Sequence, residues 1–390
     1  MNSETHRGIP PLCAMGYPCG LAAGELPRFP LIWCVIPFIF ITVMKPHRTI
    51  HAIAPIRIND IGGWTDTWFA RQGKVLNMAV FPLVEVRIRV FANEEKVDQR
   101  VLIRLENYGE ALWLNPENPA YDQHPLIQGT INSVPIPKDV LLDISLFSHV
   151  PAGSSTGTSA SVCVTLLGAL SQLAHQNYPS LELAKMAHRV ETDKLGLQSG
   201  IQDQMAAAHG GICFIDMFKY PEATVTKLDI KETLLEEMGR RTSLIYLGQS
   251  HSSSAMHEEV IAFLEKKGAK HNVIQVLRSL AEQGKGHLLR GDLESFGEVM
   301  IRNNECQRSL HAGLVSEEAD SVIAIANKYG AIGWKVNGAG GKGGSLTILG
   351  SEDEKKREGM LEDIHSLGKG IRSIPISPAR FGVTVQEEKL

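Results

Sequence analysis

The chain has 390 residues, 43% apolar and 21% charged, with a formal net charge of −4 and an isoelectric point near 6.4. That length predicts two to three domains at about 150 residues each, with material for a sizeable core. There is no basic excess to hold nucleic acid and no charge support for a membrane surface; six cysteines without a C-x-x-C pair build no disulfide framework, so a reducing cytoplasm is expected.

Residues 1–43 differ in character from the rest. They carry Cys13, Cys19 and Cys34, scattered Pro and Gly, and the apolar run Leu31–Val43, which Pro37 interrupts. The run is short for a bilayer span, and a basic start and a small-residue cleavage site are missing. We read the natural product as starting near Met44, with 1–43 an upstream extension; a membrane or export segment stays open. From His51 the pattern alternates β and α. Val84, Val86, Ile88 and Val90 alternate with Glu85, Arg87 and Arg89, a half-buried strand that Val101–Leu105 should pair. A Pro/Asn-rich loop at Asn115–Asp122 precedes a helix starting over His124–Ser133. Leu141–Phe147 reads as a strand, Ala160–Leu173 as a helix, Leu181–Leu195 as an amphipathic helix and Gly211–Met217 as a short strand. Beyond about residue 230 a strand at Ser243–Leu247 leads into helices near 253–266, 270–284, 291–304 and 316–329. A Gly-rich loop, a strand at Leu346–Leu349, another helix and a terminal strand follow. Two α+β lobes, 44–230 and 231–390, are the economical architecture. Cys163 and Cys213 lie in apolar patterns and are expected as reduced core residues.

Four segments carry chemistry. In His149–Ser161 (HVPAGSSTGTSAS) a strand passes through a loop of Gly, Ser and Thr into a helix. Free amides and the helix dipole there favour an anion, although a Ser/Thr helix cap would look similar. No G-K-[ST] closes it, so it is not a Walker A loop. Ala54–Thr67 (APIRINDIGGWTDT) runs from Arg57 through a Gly-Gly turn to Asp66. Glu191–Gly211 places Glu191 at a helix end and Asp203 after a Gly-containing turn, a plausible metal and base pair. Asn337–Ser345 (NGAGGKGGS) lets a backbone approach a ligand closely. His124, His175, His188 and His209 are dispersed without metal-ligand spacing and read as structural.

In this order the segments resemble the motifs of the GHMP kinase superfamily. The G-G-W-T-D-T run, Val75–Val80 and S-G-I-Q-D-Q-M-A-A-A-H-G-G look like the branch of D-glycero-D-manno-heptose 7-phosphate kinases and L-fucokinases. A galactokinase would carry a G-E-H-T-D-Y-like segment at Gly62–Thr67. The resemblance implies an α+β fold with an N-terminal lobe like ribosomal protein S5 domain 2, a ferredoxin-like C-terminal lobe, and the site between them. It implies that Pro151, Gly153, Ser154, Ser155, Gly157, Thr158 and Ser159 hold ATP, and that Ser159 and Glu191 hold Mg²⁺. Asp203 would be the base at the attacking hydroxyl, and Arg57 would steady that carboxylate and the transferred phosphoryl group. Gly63, Trp64 and Asp66 would face the sugar, Trp64 by stacking unless it is structural. Gly338, Gly340 and Gly341 would close the site. Ser155 and Thr156 replace the family's usual glycine and leucine, and Lys342 interrupts the last glycines, where it is expected in solvent.

Ser250–Ser254 follows a strand and opens a helix, with His251 where heptose kinases carry arginine. Ser252 and Ser253 could bind a substrate phosphate or simply cap the helix. The implied reaction is ATP-dependent phosphorylation of an anomeric hydroxyl, on heptose 7-phosphate first and on a free sugar such as L-fucose second. A non-catalytic sugar or nucleotide sensor and a homodimer stay open.

Overall fold

In the computed structural model, residues 45–248, 253–267, 271–341 and 343–390 are described. The expected extension 1–43, Ser250–Ser252 and Lys342 lie outside these residues. The described chain runs β1 (Arg48–Ile61), β2 (Gly73–Ala92), β3 (Val101–Leu105), β4 (Glu110–Leu114), α1 (Pro125–Ile131), β5 (Val140–Ser148), α2 (Thr158–Leu173), α3 (Ser180–Arg189), α4 (Gln202–His209), β6 (Ile212–Lys219) and β7 (Glu222–Lys227). It continues through α5 (Glu232–Arg241), β8 (Thr242–Leu247), α6 (Ser253–Lys267), α7 (Asn272–Arg290), α8 (Leu293–Leu310), α9 (Glu317–Lys328), β9 (Gly333–Val336), β10 (Ser345–Leu349), α10 (Glu354–Ser366), β11 (Ile371–Ile374), β12 (Ser377–Pro378) and β13 (Thr384–Lys389).

The larger sheet has the order β13-β1-β2-β5-β3-β4, with β6 and β12 also on β2 and β7 on β6. β2 changes neighbours along its length: Gly73–Met78 pairs β6, and Val84–Ala92 pairs β5. Register shifts against β1 at Pro55/Ile56 and Ile58/Ile61 bend the ribbon and aim the end of β1, with Arg57, away from the lobe core. Inward Val84, Val86, Ile88 and Val90 are fully buried, as the alternation predicts. Helix α2 is apolar on nearly every side, and it is buried among β1, α3 and α4. The smaller sheet, β11-β8-β10-β9, is antiparallel. A cluster of Ile56, Ile58, Leu76, Met78, Leu280, Phe296 and Met300 packs the end of β1 and β2 against α7 and α8.

Three departures matter. The helix expected over Leu181–Leu195 stops at Arg189, and Val190–Lys194 continues as a wider π-turn that carries Glu191. β7 (EATVTK), polar and largely exposed, gave no core-facing pattern to read. β13 returns to the larger sheet beside β1, so the C-terminal segment contributes to both sheets. Cys163 and Cys213 are buried free thiols. Among the described residues, no helix is long and apolar enough to cross a membrane.

Candidate active site

A cleft of about 250 Å³ lies where the end of β1, the loop before α2, the π-turn, the start of α4 and the loop after β9 converge. Arg57, Trp64, Asp66, Gly153, Ser154, Ser155, Gly157, Thr158, Ser159, Glu191, Asp203 and Gly338 line it. These come from all four sequence segments. Pro151 and Gly63 lie outside the lining, as do Gly340 and Gly341. Gly340 packs onto the Leu314 carbonyl, and the Gly341 amide donates to the same oxygen at 3.1 Å, so these two anchor the loop. Ser253 begins α6, and Ser252 is outside the described residues.

Arg57 is the hub. Its Nε donates to Asp203 Oδ1 at 2.7 Å and its Nη1 donates to the Ser155 carbonyl at 2.6 Å. Burial alone would lower its pKa, but the charges of Asp203, Asp60 and Asp66 outweigh that and hold it above its usual value. Asp203 is half-open to the cleft, and its Oδ2 accepts no hydrogen bond among the described residues. Gly157, left-handed at φ 71°, lets the loop turn into α2. A Cβ there would come within 3.1 Å of Asp203 Cγ and 3.3 Å of Arg57 Cγ, so the close approach also requires glycine. Ser155, where the resembled family has glycine, holds a left-handed φ of 57° while its carbonyl receives Arg57.

Glu191 is buried in the π-turn. Its Oε2 accepts from Ser199 Oγ and, at 2.7 Å, from Gln204 Nε2. Its Oε1 accepts no hydrogen bond among the described residues. Burial, with the nearby Asp203 charge, pushes its pKa up to about 7 against those two donors. A carboxylate held this way favours a cation partner, and the exposed Ser159 hydroxyl lines the same cleft. Asp66 is used differently from the expectation: its Oδ2 accepts from the amides of Ile201 and Gln202, at 3.0 and 3.1 Å, at the opening of α4. Burial raises its pKa to about 6, opposed by the Gln202 amide and assisted by Asp203. Trp64 is only 7% exposed and packs with Phe69, Ile261 and Leu277, while still lining the cleft.

Sequence reading missed the polar frame behind the cleft. Lys335 on β9, fully buried, donates to Asp60 Oδ1 at 2.8 Å, and the Gly338 amide donates to the same oxygen at 3.1 Å. Burial pushes the Asp60 carboxyl up, but the cations of Lys335 and Arg57 outweigh it and hold it below the usual range. Asn337 Oδ1 accepts from the Asn59 amide, Asn303 Oδ1 from the Gly62 amide, and Ser345 Oγ donates to the Ser154 carbonyl. Together these tie β1 and the Gly/Ser loop to the smaller sheet and α8. The only sequence signal was a charge inside the apolar frame of β9 and a second carboxylate three residues beyond Arg57.

The N-terminal GHMP kinase domain matches residues 127–211 and the C-terminal domain of the GHMP kinases matches residues 285–369. The first match holds the Gly/Ser loop, Glu191 and Asp203, and the second holds Lys335 and Gly338. The chain belongs to the GHMP kinase superfamily. Among relatives of this GHMP kinase chain, the Arabidopsis thaliana bifunctional fucokinase/GDP-fucose pyrophosphorylase is 26% identical over 81% of the chain and 31% of the relative. The chain therefore spans about a third of that protein. The D-glycero-alpha-D-manno-heptose 7-phosphate kinase of Campylobacter jejuni is 23% identical over 60% of this chain and 71% of the relative. The GHMP kinase fold recurs in the crystal structure of a D-glycero-D-manno-heptose 1-phosphate kinase from Bacteriodes thetaiotaomicron. That structure has TM-score 0.67 and 20% identity, covering 86% of this chain and 98% of that one. It recurs again in Lactococcus lactis galactokinase complexed with galactose, with TM-score 0.69 and 18% identity, covering 92% of this chain and 100% of that one.

Proposed function

We propose that this GHMP kinase fold transfers the γ-phosphoryl group of ATP to the anomeric hydroxyl of a sugar, D-glycero-D-manno-heptose 7-phosphate being the first candidate. One observation carries the reading: a buried arginine joins a cleft-facing carboxylate to the Gly/Ser loop through bonds of 2.7 and 2.6 Å. The loop amides and the start of α2 suit the ATP phosphates. Ser159 and Glu191 would hold Mg²⁺, which when bound neutralises charge on the β- and γ-phosphates. Asp203, fixed through Oδ1, offers Oδ2 to take the proton of the attacking hydroxyl. Arg57 keeps a positive charge beside the transferred group and fixes the position of that carboxylate.

The Campylobacter relative supports a phosphorylated heptose. A free sugar such as L-fucose is the second reading, favoured by the longer alignment with the Arabidopsis fucokinase, 81% of this chain against 60%. The test is Mg²⁺-dependent ADP release with heptose 7-phosphate, L-fucose, D-galactose and no sugar. Preference for the heptose phosphate supports the first reading, and turnover of a free sugar moves the substrate to the second. A protein that binds sugar without turnover is a sensor, and the kinase proposal fails.

A further inference from the structure

Gln202 stands directly before Asp203 and is only 8% exposed, yet its carboxamide makes no hydrogen bond among the described residues. Its Oε1 is buried without a partner, and the side chain lines the cleft beside Asp66, Trp64, Trp68 and Ile261. Its backbone is fully occupied: the amide donates to Asp66 Oδ2 at 3.1 Å, and the carbonyl accepts from Asn77 Nδ2 at 3.4 Å. Those bonds set the start of α4 and need nothing from the side chain. Burying a carboxamide unpaired costs stability, and neighbouring polar groups on this wall are committed elsewhere. Thr67 Oγ1 donates to the Trp64 carbonyl at 2.8 Å, and Trp68 Nε1 donates to Glu265 at 3.0 Å.

Resting on the sugar kinase reading, we infer that the Gln202 carboxamide reads one hydroxyl of the polyhydroxylated substrate, other than the hydroxyl that is phosphorylated. A hydroxyl both donates and accepts, and a carboxamide offers both complements within one group. The amide turns about its terminal torsion over a broad, roughly two-fold profile, so either atom can be presented. The ligand thereby satisfies an atom that the fold leaves orphaned. Sugars lacking that hydroxyl leave it orphaned and are discriminated against.

The experiment compares wild type, Gln202→Leu and Gln202→Met in steady-state kinetics on the preferred sugar and its monodeoxy analogues, with unliganded thermal midpoints alongside. The expected result is a sugar KM raised about tenfold in both variants, with the ATP KM and kcat within about threefold of wild type. One monodeoxy analogue should lose about tenfold with wild type and nothing further with the variants. The thermal midpoint should hold or rise, because an apolar side chain removes a buried unpaired polar group. An active variant with unchanged sugar KM overturns the assignment. So does a variant in which every deoxy penalty persists at full size. A lowered midpoint with normal sugar KM assigns Gln202 a structural role instead. Wild type without sugar-dependent ADP release overturns the kinase reading itself, which is distinct from an active enzyme indifferent to position 202.

Discussion

Replacing Lys335 by methionine removes the cation that compensates Asp60. The two side chains are 0% and 2% exposed and meet at 2.8 Å, so no water can take the place of the ammonium. Without it, burial dominates and the Asp60 carboxyl, now held below its usual range, rises above it. Breaking one side of a buried pair costs about 3–5 kcal/mol, a large share of the roughly 5–15 kcal/mol that holds a domain together. The sign with pH follows from the same carboxylate. In wild type Asp60 contributes stability above a pH of about 4 and loses it as the pH falls; in Lys335→Met the uncompensated charge makes the deficit grow as the pH rises past about 4. Adding Asp60→Asn removes the charge and should return all but about 1–2 kcal/mol. Urea unfolding of the four proteins at pH 5 and pH 8 measures the cycle. A Lys335→Met cost below about 1 kcal/mol, or a double variant no better than the single, refutes the buried-pair argument.

The site makes further predictions. Asp203→Asn should lower kcat about 10²–10⁴-fold while Mg²⁺-nucleotide binding by calorimetry stays near wild type; normal turnover removes Asp203 from the base role. Gly157→Ala forces a Cβ against Asp203 Cγ at 3.1 Å and strains a φ of 71°. It should cost about 1–2 kcal/mol in thermal unfolding and lower kcat more than it raises the ATP KM. Asp66 and Glu191, raised to about 6 and about 7, bind protons more tightly folded than unfolded. Stability of the unliganded protein should therefore fall between about pH 4 and 7, by about 3 kcal/mol for Asp66 alone, and Asp66→Asn should flatten that slope in denaturant titrations.

Much of the architecture was legible because it rests on local rules. The alternation Val84 to Val90 put one face in the core, and the apolar run after Ser159 had to be a buried helix. Arg57, Glu191 and Asp203 were legible as polar residues beside Gly-rich turns, and the fold brings them to one cleft. Nothing local announced the π-turn, because a helix and a wider turn share the same apolar spacing at Val190. Nor could periodicity reveal Asp60 with Lys335, or Asn303 with the Gly62 amide. Such partners lie far apart in the chain and are chosen by the charge or amide that must be satisfied once buried. The committed use of Asp66 Oδ2 at the start of α4 was hidden for the same reason.

β13 has an effect during synthesis that its six residues do not suggest. It completes the outer edge of β1, with Arg48 opposite Lys389 and Ile53 opposite Thr384. Until that late segment leaves the ribosome, the earliest strand of the sheet presents a bare row of amides and carbonyls to the cytosol and to neighbouring nascent chains. Folding of the first sheet is thus coupled to the arrival of the last strand, a highly non-local closure that slows the final step and prolongs the interval in which strand-to-strand aggregation competes.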